Sequence, residues 1–310
     1  MAELKAKGMD TPLPDGWAVW QLTPSKYDPT APDGARGGKM YPCLKSPPML
    51  DFDDEGNVYC PQDSCDTVLY INRSTQQAQQ LEVPFPERTA EGSKFPKMAG
   101  DEYRTHTKKG GVPYSGSGYP RITGPAIATA PNGSIWMTLL GTYNSMVRFD
   151  PDPSKKPILY EFGGPPWAVN LRLIHLTFSD SKYADGVSRI YAIASDLLDD
   201  SAVNSVVILQ FKTEKDRGEQ FKTCVGQRII PLPTQDCACH RISFVDAEIA
   251  DKPRRSRSIV ISEMQSSKLL QIKVGNVLQT QRVIEKISTN AEGFEVRSYT
   301  LGQDEAGLQV

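Results

Sequence analysis

Residues 125–149 read PAIATAPNGSIWMTLLGTYNSMVRF, and residues 48–70 read PMLDFDDEGNVYCPQDSCDTVLY. Both follow one template: a short apolar strand, an acidic or Asn-Gly turn, an aromatic-bearing strand, a small polar loop and a third strand. Setting Gly56 on Gly133 brings Leu50 to Ile127, Tyr59 to Trp136, and Tyr70 close to Arg148. Glu55-Gly56 and Asn132-Gly133 are strong hairpin turns, because glycine reaches positive φ without steric cost.

The template recurs twice more with longer loops. A third copy starts at Ile174 (IHLTFSD, RIYAIAS, NSVVILQF), and a fourth at His240 (HRISFVDAEI, SIVISEM, SKLLQIKV, NVLQTQRVI). Strands of four to eight residues rich in Val, Ile, Tyr and Phe, repeating every 40–50 residues, are the pattern of propeller blades. One blade cannot bury both of its faces, so several must stack around an axis. The segments WAVWQL (17–22) and FEVRSYTL (294–301) are expected to pair and close the ring, removing open sheet edges. The expectation is an all-β fold: one β-propeller domain over residues 1–310, of five or six blades, closed by pairing of N- and C-terminal strands. Residues 24–47 and 85–121 do not read as blades. The second stretch holds Tyr103, Arg104, His106, Tyr114 and Tyr119, and is expected to form a lid.

The 310 residues are 39% hydrophobic and 23% charged with a net charge of −2, enough apolar content for a sizeable core and too much for global disorder. No apolar run approaches the ~20 residues of a membrane helix. Without a basic tract, a nucleic-acid partner is not expected. No GxSxG, phosphate loop, GxGxxG or HExxH occurs.

Cys43, Cys60, Cys65, Cys224, Cys237 and Cys239 lack the paired spacing of a zinc site. An even count reads most naturally as disulfides, ahead of buried thiols or metal. The sequons Asn72-Arg73-Ser74 and Asn132-Gly133-Ser134 point the same way, to a secreted protein. The first residues, MAELKAK, carry no apolar signal core. A signal peptide already removed is therefore expected, with a cytosolic protein as the other reading.

The stretch ITGPAIATAPNGSIWMTLLGTYNSMVRFDPD resembles blades of the virginiamycin B lyase family of propellers. The four copies, about half the chain, carry the likeness. In the family pattern a channel-facing His precedes the turn and a Glu ends the second strand. Here Pro48, Pro125, Ile174 and His240 occupy the first position, and Gln62, Leu139, Ala194 and Glu263 the second. Only the fourth copy keeps both. The lyase resemblance implies a bound magnesium, for which the chain lacks the full set of ionisable groups, so no metal or other cofactor is expected. The YPRITGPAIA…IW…LLG stretch also looks like the fungal hetero-Diels–Alderases of tropolonic sesquiterpene biosynthesis.

That likeness implies a cycloaddition between a tropolone quinone methide and a humulene-type alkene, which needs orientation rather than a nucleophile. Donors aimed at a carbonyl would activate the diene, and apolar walls would exclude water. His240, Glu263 and Arg121 are the expected catalytic groups. Gln62, Tyr119, Leu139, Tyr143, Asn144, Trp167 and His175 are the expected substrate contacts, and the partners are small organic molecules. Two other functions fit the same fold: a metal-dependent lyase or lactone hydrolase, and a non-catalytic binding propeller.

Overall fold

A computed structural model describes residues 49–62, 67–84, 126–139, 144–163, 171–179, 188–195, 203–234, 239–248, 255–263, 266–274, 280–290 and 293–302. Among these every regular element is a β-strand, and no helix is long and apolar enough to cross a membrane. The expected closing segment 17–22, the segments 24–47 and 85–121, and Arg121, Tyr119, Tyr143 and Trp167 all lie outside the described residues.

The first copy forms an antiparallel meander of β1 (Asp51–Phe52), β2 (Val58–Gln62), β3 (Thr67–Ile71) and β4 (Ala78–Glu82). The second is β5 (Ile127–Thr129), β6 (Ile135–Thr138), β7 (Ser145–Phe149) and β8 (Ile158–Phe162). The third is β9 (Leu173–Phe178), β10 (Ser188–Ala194), β11 (Ser205–Phe211) and β12 (Cys224–Pro231). The fourth keeps three strands: β13 (Cys239–Glu248), β14 (Arg255–Glu263) and β15 (Lys268–Lys273).

The four meanders pack face to face in sequence order. One cluster joins the first two through Tyr59, Val68, Ile135 and Val147. A second joins the middle two through Trp136, Tyr160, Leu209 and Phe211. A third joins the last two through Tyr191, Ile208, Ile242 and Ile259. The aromatic of the second strand in each of the first three meanders reaches the next meander. Tyr59 meets Phe149 at 6.2 Å, Trp136 meets Phe211 at 5.4 Å, and Tyr191 stacks on Phe244 at 5.8 Å. Strict alternation puts Ile135 and Met137 on one face of β6 and Trp136 on the other, so both faces are buried.

The first strands lie side by side. The Thr129 N–H and hydroxyl donate to Asp51 Oδ2 at 2.7 and 2.9 Å. The Ile242 and Phe244 N–H groups donate to His175 Nδ1 and Thr177 Oγ1, so β9 and β13 run in the same direction.

Two features differ from separate blades. Within the segment 276–284, read as the fourth strand of the last copy, the described strand residues Gln281–Ile284 do not join β15. Instead β16 (Gln281–Thr289) and β17 (Glu295–Leu301) form a hairpin, with β16 on β12 and β17 parallel to β8. The second and third meanders thereby become one ten-stranded sheet folded over its own core. The cause is local: Gly293, at φ +79°, donates to Asn290 O at 3.0 Å and closes a tight turn. Gly56 and Gly133, at +79° and +83°, close the same turn. With β16 on one edge and β8 on the other, β17 has both edges filled.

The turn at Gly133 is bound from outside. Asn132 is fully buried, and its amide donates to Arg217 O at 3.0 Å and Gln220 O at 2.8 Å. Its Oδ1 accepts the Ser134 hydroxyl at 2.6 Å, and the Arg217 guanidinium pairs with Asp54 in the first turn. The sequon at Asn132 is therefore closed to a glycan, against the expectation that both turns could carry one.

Candidate functional site

Of the expected site residues, His240 and Glu263 lie at one end of the last sheet, where β13 begins and β14 finishes, and His175 lies near the start of the neighbouring β9. His240 is the second residue of β13. Cys239 pairs with Glu263 and Arg241 with Ser262, so His240 is the extra residue of a bulge. A bulge releases a side chain from the ladder and re-aims it. A second bulge at Ile174, where His175 pairs with Ile193 and Leu173 with Ala194, lies beside it on β9.

Glu263 closes β14 and is only 3% exposed. Ser266 donates its hydroxyl to Oε2 at 2.6 Å, while Oε1 is buried with no hydrogen-bond partner among the described residues. Leaving a buried carboxylate oxygen unmatched costs on the order of 1–3 kcal/mol or more. The carboxylate is not bonded to His240; Ser266, in the turn that follows, holds it instead.

His175 is half-buried, and its Nδ1 accepts the Ile242 N–H at 3.4 Å. Burial first, then the cationic Arg241 and His240, push its pKa down to about 4. Near neutral pH the imidazole is thus uncharged, and with Nδ1 accepting, its proton sits on Nε2. Burial and Arg241 lower His240 as well. The site therefore joins one fixed neutral N–H donor, one titratable imidazole and one buried acceptor.

Other expected contacts fare differently. Leu139 is 0% exposed and packs between the first two sheets, so it is core rather than a cup wall. Asn144 holds a left-handed turn at φ 48°, its N–H donating to Leu171 O and its carbonyl accepting the Phe162 N–H. Gln62 ends β2 at the expected end, but its side chain lies outside the described residues. Ser266 and Arg241 were missed; the Gln-Ser-Ser turn after β14 was the readable signal for the first.

Cys60, Cys224 and Cys239 are buried and none is in a disulfide, so the expected disulfides do not include them; Cys43, Cys65 and Cys237 lie outside the described residues. Burial raises Cys60 and pushes Cys224 up to about 12. Both stay protonated and are poor nucleophiles.

The described donors do not match the magnesium that the lyase resemblance implies. Leu139 and Ala194 are apolar and fully buried where the family pattern places carboxylates. Among the described residues no three His, Cys, Asp or Glu side chains gather as a metal cluster. One imidazole and one carboxylate do not fit a resident divalent ion.

The class defined so far is an all-β protein of consecutive face-packed meanders with a polar cluster at one end. No family profile and no curated protein matches the chain. Among solved structures it is similar to a catalytically inactive Staphylococcus aureus virginiamycin B lyase with quinupristin, at 12% identity and TM-score 0.33, covering 77% of this chain and 72% of that one. It is also similar to an exo-1,5-α-L-arabinanase from a bovine ruminal metagenomic library, at 8% identity and TM-score 0.31, covering 80% and 75%. A Cellvibrio cellulosa α-L-arabinanase follows at 9% identity and TM-score 0.30, covering 80% and 76%. No functional residue is carried over from them.

Proposed function

We propose that the chain is a cofactor-independent biosynthetic cyclase that joins a tropolone quinone methide to a humulene-type sesquiterpene by hetero-Diels–Alder cycloaddition. The sheets form a propeller-like ring, and the reaction takes place in a cup at the His240 end. Two separate features near the start of β13 support the reading: His175, whose Nδ1 accepts the Ile242 N–H, and Glu263, whose buried Oε1 has no hydrogen-bond partner among the described residues. The sequence likeness of residues 119–141 to such cyclases supplies the reaction class.

In this reading His175 Nε2–H donates to the quinone-methide carbonyl oxygen and draws electron density from the diene. Glu263 Oε1 accepts the hydroxyl of the terpene alcohol and sets the face it presents. One C–C and one C–O bond form together, three π bonds become one, and nothing leaves. The protein forms no covalent bond, in keeping with protonated Cys60 and Cys224. Its contribution is orientation plus a preorganised donor, together worth many orders of magnitude in effective molarity.

The test is incubation of the pure protein, with and without EDTA, with humulenol and a tropolone quinone methide generated in situ. A faster, stereochemically enriched adduct unaffected by EDTA is expected, and Glu263→Gln should lose most of the enrichment. Product ratios equal to those in buffer would leave a non-catalytic binding protein. Loss of activity with EDTA would favour a metal-dependent lyase or hydrolase.

A further inference from the structure

At the other end of the sheets a cleft of about 210 Å³ opens between the first meander, the β7–β8 turn and Phe294. It shares no residue with the His240 cluster. Its deepest side chain is Tyr59, 0% exposed, with its ring against Tyr70 at 5.1 Å and Phe149 at 6.2 Å. The Tyr59 hydroxyl is buried and has no hydrogen-bond partner among the described residues. Native proteins rarely leave such a group unmatched. Burial, then Asp53, raises its pKa, so it stays an O–H donor.

A second donor lines the same cleft. The Lys156 ammonium donates to Gly293 O at 3.3 Å and stands 5.4 Å above the Phe294 ring; among the described residues no carboxylate holds it. The nearby acids are occupied or solvated. Asp150 is held by Arg148 at 3.3 Å and Lys155 at 3.4 Å, and Glu82 is exposed to water. The remaining walls are apolar: Leu81, Phe149, Pro153 and Pro157.

We propose that this cleft is a second small-molecule site, built for a compact aromatic carboxylate. One carboxylate oxygen takes the Tyr59 O–H, the other faces the Lys156 ammonium, and the ring lies between Phe149 and Phe294. The volume equals about seven waters at ~30 Å³ each, room for an acid of about ten non-hydrogen atoms. The proposal rests on this cleft alone and stands whether or not the protein is a cyclase.

The probe is 4-fluorobenzoate, titrated into the full chain and followed by 19F NMR, with 4-fluorobenzyl alcohol as the uncharged comparison. Saturable binding is expected in the millimolar range or tighter, and about tenfold weaker for the alcohol. Tyr59→Phe and Lys156→Met should each weaken benzoate about tenfold. Tyr59→Phe removes only an unpaired hydroxyl, so its Tm should match or exceed that of the parent and the variant remains testable. Absence of saturation up to about 20 mM overturns the proposal. So does equal affinity in the parent and Tyr59→Phe, or equal affinity for acid and alcohol.

Discussion

Asn132 and Arg217 hold each other reciprocally: the Asn132 amide donates to Arg217 O at 3.0 Å, and Arg217 Nε donates to Asn132 O at 3.1 Å. Arg217 reaches Asp54 as well, so three successive meanders meet at this contact. Asn132→Ala strands two carbonyls at a buried position and should lower stability by about 1–3 kcal/mol in urea unfolding. Asp54→Ala touches only the exposed ion pair and should cost less than about 1 kcal/mol.

The same burial decides where a glycan can sit. Asn72 is partly exposed in the β3–β4 turn, where among the described residues its amide donates only to the Tyr70 hydroxyl at 3.3 Å, whereas the Asn132 amide is fully buried and donates to two carbonyls. Expressed through a eukaryotic secretory pathway, the folded protein should carry carbohydrate at Asn72 and none at Asn132, as peptide mass spectrometry will show.

His175 gives stability a defined pH dependence. Above pH ~6.5 it is neutral whether folded or unfolded and contributes no slope. Below that, the unfolded chain takes up a proton that the folded protein, with its pKa near 4, refuses. Stability therefore falls with falling pH between ~6.5 and ~4, and the contribution is flat below, for a total of up to about 3 kcal/mol. Thermal unfolding of the parent and His175→Gln at pH 7.5 and 4.5 checks this; the variant should lose less Tm on acidification.

Gly226 marks the seam where β12 meets β16. A Cβ there would collide with the Thr280 side chain. Gly226→Ala should destabilise by about 2 kcal/mol or more through forced backbone movement. Gly226→Ala combined with Thr280→Gly should recover most of that loss in the same urea titration.

The repeating template was legible because its turn is local. Gly56 and Gly133 have the positive φ that their sequence position demands, and Tyr59 and Trp136 occupy matching places between sheets. The Asn290–Gly293 turn obeys the same rule, yet residues 276–284 and 294–301 were read as ends of different sheets, so the hairpin between them was missed. The parallel pairing of Tyr160 with Arg297 joins distant segments and leaves no local pattern to read. At the site, the register of the fourth copy placed His240 and Glu263 at one end. It gave no hint of the bulge that frees His240 or of Ser266 holding the carboxylate. Leu139 failed as a wall because equal register does not mean equal exposure: the neighbouring sheet covers it.

The hairpin β16–β17 also sets an order of events during synthesis. The outer edges of β8 and β12 leave the ribosome bare, and their partners follow only after the intervening chain is made, at ~5–20 residues per second. For those seconds two apolar strand edges are open to pairing with a neighbouring nascent chain. Chaperone demand should accordingly peak late in translation and fall once residues 281–301 have emerged.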